Sequence, residues 1–354
     1  MFKVCIISCG MITNAAHIPA YRQFPDDYEI TAVCDINEQY AKQTAKKHGI
    51  PNYYTDAETM LAKEKPDIVS VCVPNCFHKE YTLMALRYGA NVLCEKPVAV
   101  NYNDALEMYA FAKQQGKLLM ACQSMRFTPD RLAAKKFIDN GGMDNIYYGE
   151  FSRIRRRGIP TWSTFHLRKV NCGGAFVDIG VHMLDALIWL MGNPKAIEVE
   201  GNVMKNHSEE VGSLRESGAL TGEVNYQGKY NPDDMDVEDF SCGTILFDNS
   251  ATVSFKVAWA ANIPEAADIR LVSKKAGLDI PSCKIYTGET GEETLPTEEC
   301  PYDVPFFGHM YITDNLRKVL KGEAEPIIKP EETLNVTKII DMFYKNANLD
   351  KFKK

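Results

Sequence analysis

Residues 3–35, KVCIISCGMITNAAHIPAYRQFPDDYEITAVCD, decide the fold. An apolar run at 3–8 leads through a turn at Gly10 into a helix-length segment, and a second apolar run follows at 28–34. Both runs are rich in β-branched residues, which favour strands. The order strand, turn, helix, strand predicts the first βαβ unit of a parallel sheet.

The same alternation continues to about residue 122. Further strands are predicted at 68–74, 92–94 and 118–121, and helices at 38–48, 81–88 and 102–115. Gly49, Gly89 and Gly116 follow the helix-like segments, where a helix end favours a left-handed residue. Residues 1–122 are therefore predicted to form a doubly wound, Rossmann-type α/β domain.

Beyond residue 122 the rhythm changes to helices followed by long strands. Helices are predicted at about 128–139, from Asp178 to before Gly192, and at 331–347, and strands at 196–204, 239–247, 251–260 and 267–273. This order predicts a second, α+β domain, 123–354, with a large, mostly antiparallel open sheet. Its final helix is placed to pack back toward the first domain. Residues 206–236 are interpreted as a surface loop, with a lid or an oligomer contact as alternatives.

Composition excludes some classes of function. The 354 residues carry a formal net charge of -7, which counts against nucleic acid as the main partner. No run of 18 or more apolar residues is present, so no transmembrane helix is expected. The 11 cysteines form no CxxC pair, which favours free thiols in the cytoplasm over disulfides or a cysteine zinc site.

The turn after the first strand is a candidate phosphate-binding loop. A dinucleotide fold usually has G-x-G-x-x-G here, but Ser8 and Thr13 stand in the outer places and only Gly10 is retained. Asp35 ends the second strand, where a carboxylate accepts ribose hydroxyls and repels a 2′-phosphate. NAD is therefore favoured over NADP. The alternative is that Asp35 merely caps the next helix.

Another strand ends at Pro74-Asn75-Cys76-Phe77-His78, at the carboxyl edge of the sheet where doubly wound folds bind ligands. Contact with the cofactor and simple helix capping are both open for His78.

Two further motifs carry reactive side chains. Cys94-Glu95-Lys96-Pro97 ends one strand, and residues 173–182 read GGAFVDIGVH. Asp178 and His182 are four apart, so a helix presents both on one face. Taken singly, such groups are usually solvated, or half of a metal site; taken together they provide an acid, a base and a cation.

These motifs, with the Arg126-Phe127 pair, resemble the Gfo/Idh/MocA oxidoreductases, which include inositol dehydrogenases and glucose–fructose oxidoreductase, over nearly the whole chain. The resemblance implies that Lys96, Asp178 and His182 are catalytic and line the substrate beside the nicotinamide. His182 is then the natural base, Lys96 stabilises the reacting oxygen, and Asp178 orients the substrate or shares in the proton relay. The peptide before Pro97 is often cis in this family.

The combined reasoning assigns the remaining residues. The expected cofactor-binding residues are Ser8, Gly10, Met11, Ile12, Asp35, Pro74, Asn75, His78, Glu95 and Lys96. The expected substrate-binding residues are Arg126, Trp162 and His166. No metal is expected, because no third ligand at a suitable spacing accompanies Asp178 and His182. Arg153–Arg157 is strand-like and either meets an acidic substrate group or forms an exposed or inter-subunit face.

The expected activity is NAD-dependent oxidation of a secondary ring hydroxyl on a sugar, cyclitol or glycoside. One alternative is an enzyme that retains NAD and makes or recycles a 3-keto sugar. Another is a non-catalytic NAD-binding regulatory protein. The expected partners are a sugar-like small molecule and further copies of the chain, as a homodimer or homotetramer that covers the open sheet; neither nucleic acid nor a membrane is expected.

Overall fold

The computed structural model describes residues 1–161, 164–209, 230–302 and 306–352, and these form two compact units. The first unit holds Met1–Ser124 and the described part of 302–334. The second unit holds the remaining described residues from 125 to 301 and from 335 onward. Sequence analysis places residues 302–334 in the second domain, whereas in the structure Tyr28 donates its hydroxyl to the carbonyl of Thr313 within the first unit at 2.7 Å.

Fourteen strands are present in the described residues. They are β1 Phe2–Ile7, β2 Tyr28–Cys34, β3 Asn52–Tyr54, β4 Ile68–Val71, β5 Asn91–Cys94, β6 Leu119–Ala121, β7 Ile146–Ile154, β8 Ala196–Met204, β9 Phe240–Phe247, β10 Thr252–Ala258, β11 Ala266–Ser273, β12 Gly277–Ile280, β13 Lys284–Thr287 and β14 Gly291–Thr294.

Ten α-helices accompany them in the same described ranges. They are α1 Ile18–Arg22, α2 Glu38–His48, α3 Ala57–Glu64, α4 His78–Arg87, α5 Tyr102–Gln114, α6 Pro129–Asp139, α7 Arg168–Asn171, α8 Val181–Leu190, α9 Gly308–Leu320 and α10 Pro330–Ala347. Two π-helical segments, Thr13–His17 and Phe176–Gly180, lead directly into α1 and α8.

The first unit contains a parallel six-stranded sheet in the order β3-β2-β1-β4-β5-β6. This is the strand order of a dinucleotide-binding fold, and it confirms the predicted doubly wound sheet. The order reverses between β1 and β4, so the loops that follow these two strands flank the crevice in which such folds bind ligands. Helix α9, which sequence analysis does not identify, packs against α1.

The second unit contains an eight-stranded sheet in the order β14-β13-β12-β11-β7-β10-β9-β8. Among the strands that the structure describes, only the pair β7–β10 is parallel, so the predicted mostly antiparallel sheet is confirmed. Helix α8 packs against β7 and β11, and α6 packs against α8. Stacked rings fill the layer between sheet and helices, with Phe176 and Phe255 at 4.8 Å between centroids and Phe176 and Phe343 at 4.4 Å.

The structure bears on two expectations from composition, the absence of a transmembrane helix and the state of the cysteines. By length and composition the helical segment 168–190 is apolar enough to cross a membrane, but most of it is buried within the second unit, as in a core helix. Nine cysteines are free thiols, whereas Cys76 and Cys172 are disulfide-bonded, so the expectation of free thiols throughout is wrong for these two.

Candidate active site

The loop after β1 has the geometry of a phosphate-binding turn despite its missing glycines. Ser8 adopts φ 84°, the left-handed conformation for which glycine is usual. Thr13 is buried, and its hydroxyl donates to the carbonyl oxygen of Ser8 at 2.8 Å. The threonine therefore does not crowd the helix against the strand, because its hydroxyl ties the two together.

Space for a ligand is left where the helix begins. A Cβ placed on Gly10 meets only the Oγ of Ser8, at 3.8 Å, so packing within the protein does not require glycine here. The helical run starts at Met11 and Ile12, whose backbone N–H groups belong to the first turn. An open approach to a helix N-terminus suits the pyrophosphate of a dinucleotide.

Asp35 is held by two backbone donors, one in the loop after β1 and one at the start of α2. Its Oδ2 accepts from the N–H of Cys9 at 2.8 Å, and its Oδ1 accepts from the N–H of Asn37 at 2.9 Å. The N-cap of α2 is Asn37, whose side chain accepts from Gln39 and Tyr40, so Asp35 is not the helix cap. Each carboxylate oxygen retains acceptor capacity for a ribose hydroxyl.

The segment after β4 orders the neighbouring loop. Pro74 is exposed and Asn75 is half-buried at the start of a 3₁₀ turn. His78 is 1% exposed, and its two ring nitrogens lie 2.7 Å from the carbonyl oxygen of Pro97 and 2.8 Å from that of Val73. His78 thus connects the end of β4 to the loop after β5.

That loop carries the E-K-P motif, and its Lys96–Pro97 peptide is cis, as the resemblance implies. Glu95 is buried and accepts at Oε1 from Nε2 of His17 at 2.8 Å and from Nε2 of His309 at 3.1 Å. Burial alone would raise the pKa of Glu95, but these hydrogen bonds hold it well below its ordinary value. Burial lowers the pKa of His17. Glu95 is therefore a buried anion, and Lys96 next to it is half-buried.

In the second unit, residues 175–188 place two polar side chains on a buried helical segment. Asp178 and His182 are partly exposed, whereas every other residue between Ala175 and Ile188 is buried. Asp178 lies in the π-helical turn and His182 in the first turn of α8. Such turns are often found at functional sites.

The glycines before this turn are required by close packing. A Cβ on Gly174 would lie 2.0 Å from the carbonyl oxygen of Glu238, and one on Gly173 would lie 2.4 Å from the hydroxyl of Tyr344. The carboxylate of Glu238 accepts from the N–H groups of Gly174 at 2.9 Å and Phe176 at 3.0 Å, and from the hydroxyl of Tyr344 at 2.8 Å. Burial raises the pKa of Glu238 to about 7.

Asp178 is oriented by a tryptophan from the sheet. The indole N–H of Trp259, which is fully buried, donates to Oδ2 of Asp178 at 2.9 Å. Arg153 and Arg155 also interact electrostatically with Asp178. Burial, followed by the like charges of Arg155 and Arg131, lowers the pKa of Arg153 to about 10. The surroundings of Asp178 are thus cationic and half-buried.

The three residues assigned to substrate have different placements. Arg126 is 1% exposed, and its guanidinium forms a two-pronged ion pair with Asp185 at 2.7 and 2.6 Å, which favours a structural role. His166 is 4% exposed and packs edge-on against Tyr230 at 4.9 Å between ring centroids. Trp162 lies outside the described residues.

Sequence reasoning missed Trp259 and Glu238, which support the Asp178 turn. Both come from β-strand neighbourhoods far along the chain and belong to no motif, so no local signal points to them. The available signal for these two residues was their position at strand ends: Glu238 lies just before β9, and Trp259 directly follows β10.

Comparison with protein-family models gives two matches. Residues 2–123 match the oxidoreductase family with an NAD-binding Rossmann fold, GFO_IDH_MocA, and residues 132–279 match the GFO/IDH/MocA C-terminal domain. Together these matches cover more than half of the chain.

Individual relatives agree with these matches. The chain is 32% identical to a D-glucoside 3-dehydrogenase of Escherichia coli over 98% of this chain and 95% of that protein. It is 27% identical to a scyllo-inositol 2-dehydrogenase (NADP(+)) of Bacillus subtilis over 70% of this chain and 76% of that protein. The fold matches a levoglucosan dehydrogenase solved with NADH and levoglucosan, with a TM-score of 0.80 and 18% identity, over 99% of this chain and 98% of that one.

Proposed function

Because the chain belongs to the Gfo/Idh/MocA family of NAD-binding oxidoreductases, we propose that it oxidises a secondary hydroxyl on a sugar, cyclitol or glycoside ring. The observation that carries the proposal is the isolated pair of partly exposed polar side chains, Asp178 and His182, on an otherwise buried helical segment. A buried segment tolerates such a pair where function requires it.

The proposed reaction divides between the cofactor and three side chains. NAD, when bound, supplies the hydride acceptor. His182 takes the proton of the substrate hydroxyl as a general base. Lys96 donates a hydrogen bond to that oxygen as negative charge develops on it. Asp178, fixed by Trp259, orients the substrate or shares in the proton relay.

The cofactor is assigned to the loop after β1 and to the ends of β2, β4 and β5. Gly10, Met11 and Ile12 would hold the pyrophosphate, with Ser8 supplying the left-handed turn before them. Asp35 accepts the ribose hydroxyls and disfavours NADP, because its carboxylate repels a 2′-phosphate. Sequence reasoning adds Pro74, Asn75, His78, Glu95 and Lys96 to the nicotinamide side of this site; the buried side chains of His78 and Glu95 would support the two loops from behind rather than contact the cofactor.

A glycoside is the first substrate to test, since the D-glucoside 3-dehydrogenase relative spans nearly the whole chain. Trp162 and His166 stay as proposed substrate residues, whereas Arg126 would hold the segment after β6 to α8 through its ion pair with Asp185 rather than contact substrate. An enzyme that retains NAD and recycles a 3-keto sugar is the second candidate, and a non-catalytic NAD-binding regulator is the third.

We further propose a cytoplasmic homodimer or homotetramer that acts on a small molecule and engages neither nucleic acid nor membrane. The central strands of the large sheet carry polar groups on the face opposite α8, where Arg270 lies 2.6 Å from Glu150 and 3.4 Å from Asp279. A subunit contact at these residues would therefore be formed largely by polar and charged groups.

The test is a screen of purified protein with NAD or NADP and a panel of glycosides, hexoses, inositols and uronates, followed by the absorbance of reduced nicotinamide. We expect turnover with NAD, and a fall in kcat of about 100-fold or more in Lys96→Ala. The exposed Lys113→Ala is the matched control and should equal the parent.

Each other outcome separates the candidates. Equal turnover in Lys96→Ala and the parent would contradict the assigned role of Lys96. Absence of net turnover, with NAD released on denaturation, would favour the retained-cofactor enzyme. Absence of both turnover and bound NAD would favour a non-catalytic protein.

A further inference from the structure

Four buried side chains of the first unit converge at one point directly behind the loop that carries Lys96. His17 ends the π-helical turn, Glu95 follows β5, Cys122 follows β6 and His309 lies in the first turn of α9. One potential ligand atom from each residue lies within 4.8 Å of all the others. We refer to these four residues as the buried quartet.

Two histidines of the buried quartet share a single carboxylate oxygen. Nε2 of His17 and Nε2 of His309 lie 2.8 and 3.1 Å from Oε1 of Glu95, and their rings are 5.2 Å apart between centroids at 70°. The other oxygen, Oε2, accepts from the backbone N–H of Lys96 at 3.2 Å. With the sulfur of Cys122 the quartet presents two imidazole nitrogens, one carboxylate oxygen and one sulfur.

Hydrogen bonds alone leave this cluster incompletely satisfied. Within the described residues, Nδ1 of His309 is buried and has no hydrogen-bond partner, although buried polar atoms are rarely left unpaired. The ring of His309 is therefore held by a hydrogen bond at Nε2 alone, and Nε2 is the nitrogen that lies beside Glu95. His17 is fixed at both nitrogens, since its Nδ1 lies 3.2 Å from the hydroxyl of Ser70, which is 2.8 Å from that of Tyr21.

We propose that the buried quartet binds one Zn²⁺ as a structural ion. Two neutral imidazoles, a carboxylate and a thiolate around a divalent cation sum to zero charge, which suits a buried site. Nitrogen and sulfur donors select zinc over magnesium or calcium, which take oxygen ligands. Four protein ligands fill a tetrahedral shell, so the ion has no open position for substrate.

The geometry needs only small side-chain movements to accept the ion. Ligand atoms of a tetrahedral zinc site lie roughly 3.3–3.8 Å apart, given metal–ligand bonds of about 2.0–2.3 Å. The two histidine nitrogens would move away from Oε1 of Glu95 by a few tenths of an ångström, and the widest pair would close from 4.8 Å or less. With Nε2 on the metal, His17 would donate its Nδ1–H to the hydroxyl oxygen of Ser70, which lies next to the hydroxyl of Tyr21, as zinc-bound histidines do toward their outer partners.

This site would fasten α9 to the carboxyl edge of the parallel sheet, because His309 is the ligand contributed by that helix. No metal is expected from the sequence, because His17 and His309 lie 292 positions apart and form no local motif.

The test begins with the zinc content of purified full-length protein, measured by mass spectrometry, and with cobalt titration of chelator-treated protein. We expect about one zinc per chain, and a thiolate-to-cobalt charge-transfer band in the parent. In Cys122→Ser that band should vanish, whereas in Cys94→Ser, which alters another buried thiol, it should persist. Zinc should raise the Tm of the chelator-treated parent and of Cys94→Ser, but not that of His309→Ala.

A parent that contains no zinc, and shows neither the cobalt band nor a rise in Tm with added zinc, would overturn the proposal. A cobalt band that survives in Cys122→Ser would overturn it as well, because the thiolate would then come from elsewhere. If a variant fails to fold, the parent's cobalt spectrum decides alone.

Discussion

The two π-helical segments, Thr13–His17 and Phe176–Gly180, each follow a sharp turn and each lead into an α-helix, yet they are stabilised differently. The first is held from closer in the sequence, since the hydroxyl of Thr13 donates to the carbonyl of Ser8, five positions away, and the N–H of Cys9 donates to Asp35, 26 positions away. The second is held by side chains from distant positions, since Glu238 and Trp259 lie 64 and 81 positions from the groups they bind.

The difference indicates how each region tolerates change. The first turn leaves space for a ligand. Ser8 and Thr13 stand where a dinucleotide fold usually has glycines; Ser8 adopts the left-handed conformation, and the hydroxyl of Thr13 ties the helix to the strand. The second turn is buried within its own unit apart from the partly exposed Asp178. Substitutions there should alter stability, whereas substitutions at the first turn should alter binding of the cofactor.

The largest expected effect comes from a pair of glycine substitutions. Gly174→Ala should lower the free energy of unfolding by about 3 kcal/mol, because its Cβ would lie 2.0 Å from a backbone carbonyl oxygen. Gly10→Ala should change it by less than about 0.5 kcal/mol, because its Cβ meets only ordinary contacts. Denaturant unfolding measures both, and NAD titration of the second should show weakened binding. Equal stability losses would remove the distinction between the two turns.

Glu238 should impose a pH dependence on the second unit. Its pKa is about 7 in the folded protein and about 4.5 when unfolded, so the folded state holds the proton more tightly. The free energy of unfolding should therefore fall as pH rises from about 4.5 to about 7, by up to about 3 kcal/mol.

Glu238→Gln should remove that slope, and the exposed Glu200→Gln should retain it. The Gln variant should also be less stable at low pH by about 1–3 kcal/mol, because its amide N–H₂ would face one of the backbone N–H groups from which the carboxylate accepts a hydrogen bond. Urea unfolding at several pH values measures both effects. An unchanged slope in Glu238→Gln would assign the pH dependence to other groups.

The smallest effect is expected at the first turn. Thr13→Val should lower the free energy of unfolding by about 1 kcal/mol, because the carbonyl of Ser8 loses its hydroxyl donor while the side chain keeps its shape. Thr13→Ser, which keeps the hydroxyl, should retain the hydrogen bond and bind NAD as the parent does. If Thr13→Val binds NAD as tightly as Thr13→Ser, the hydroxyl is not what shapes the turn.

The same difference explains what could be predicted from the sequence. Helix α2 at 38–48 and β8 at 196–204 follow from periodicity and local caps, and their bounds agree with the structure; the parallel sheet is confirmed, although β3 was not predicted and β4 ends at Val71 rather than at 74. The cis Lys96–Pro97 peptide followed from the family resemblance. The local pattern also places Asp178 and His182 together on one helical segment.

The rest depends on contacts between distant residues. Helix α9 is followed by Gly322 at φ 75°, a helix-end signal of the same kind as Gly49 that was missed in the sequence, and the helix packs against α1. The interaction of Arg126 with Asp185 could not be foreseen, because a family motif gives a position but not its partner. Trp259 and Glu238 are ordinary strand-end residues until the sheet brings them to the Asp178 turn.

The central claim is that a hydride passes from a ring carbon to NAD. The most direct measurement uses the ring substrate that turns over fastest in the screen, prepared with deuterium on every ring carbon, and determines the mass of the NADH formed. The account predicts that the NADH carries one deuterium and that formation is slower than with unlabelled substrate wherever hydride transfer limits the rate. NADH without deuterium would contradict direct transfer from the ring.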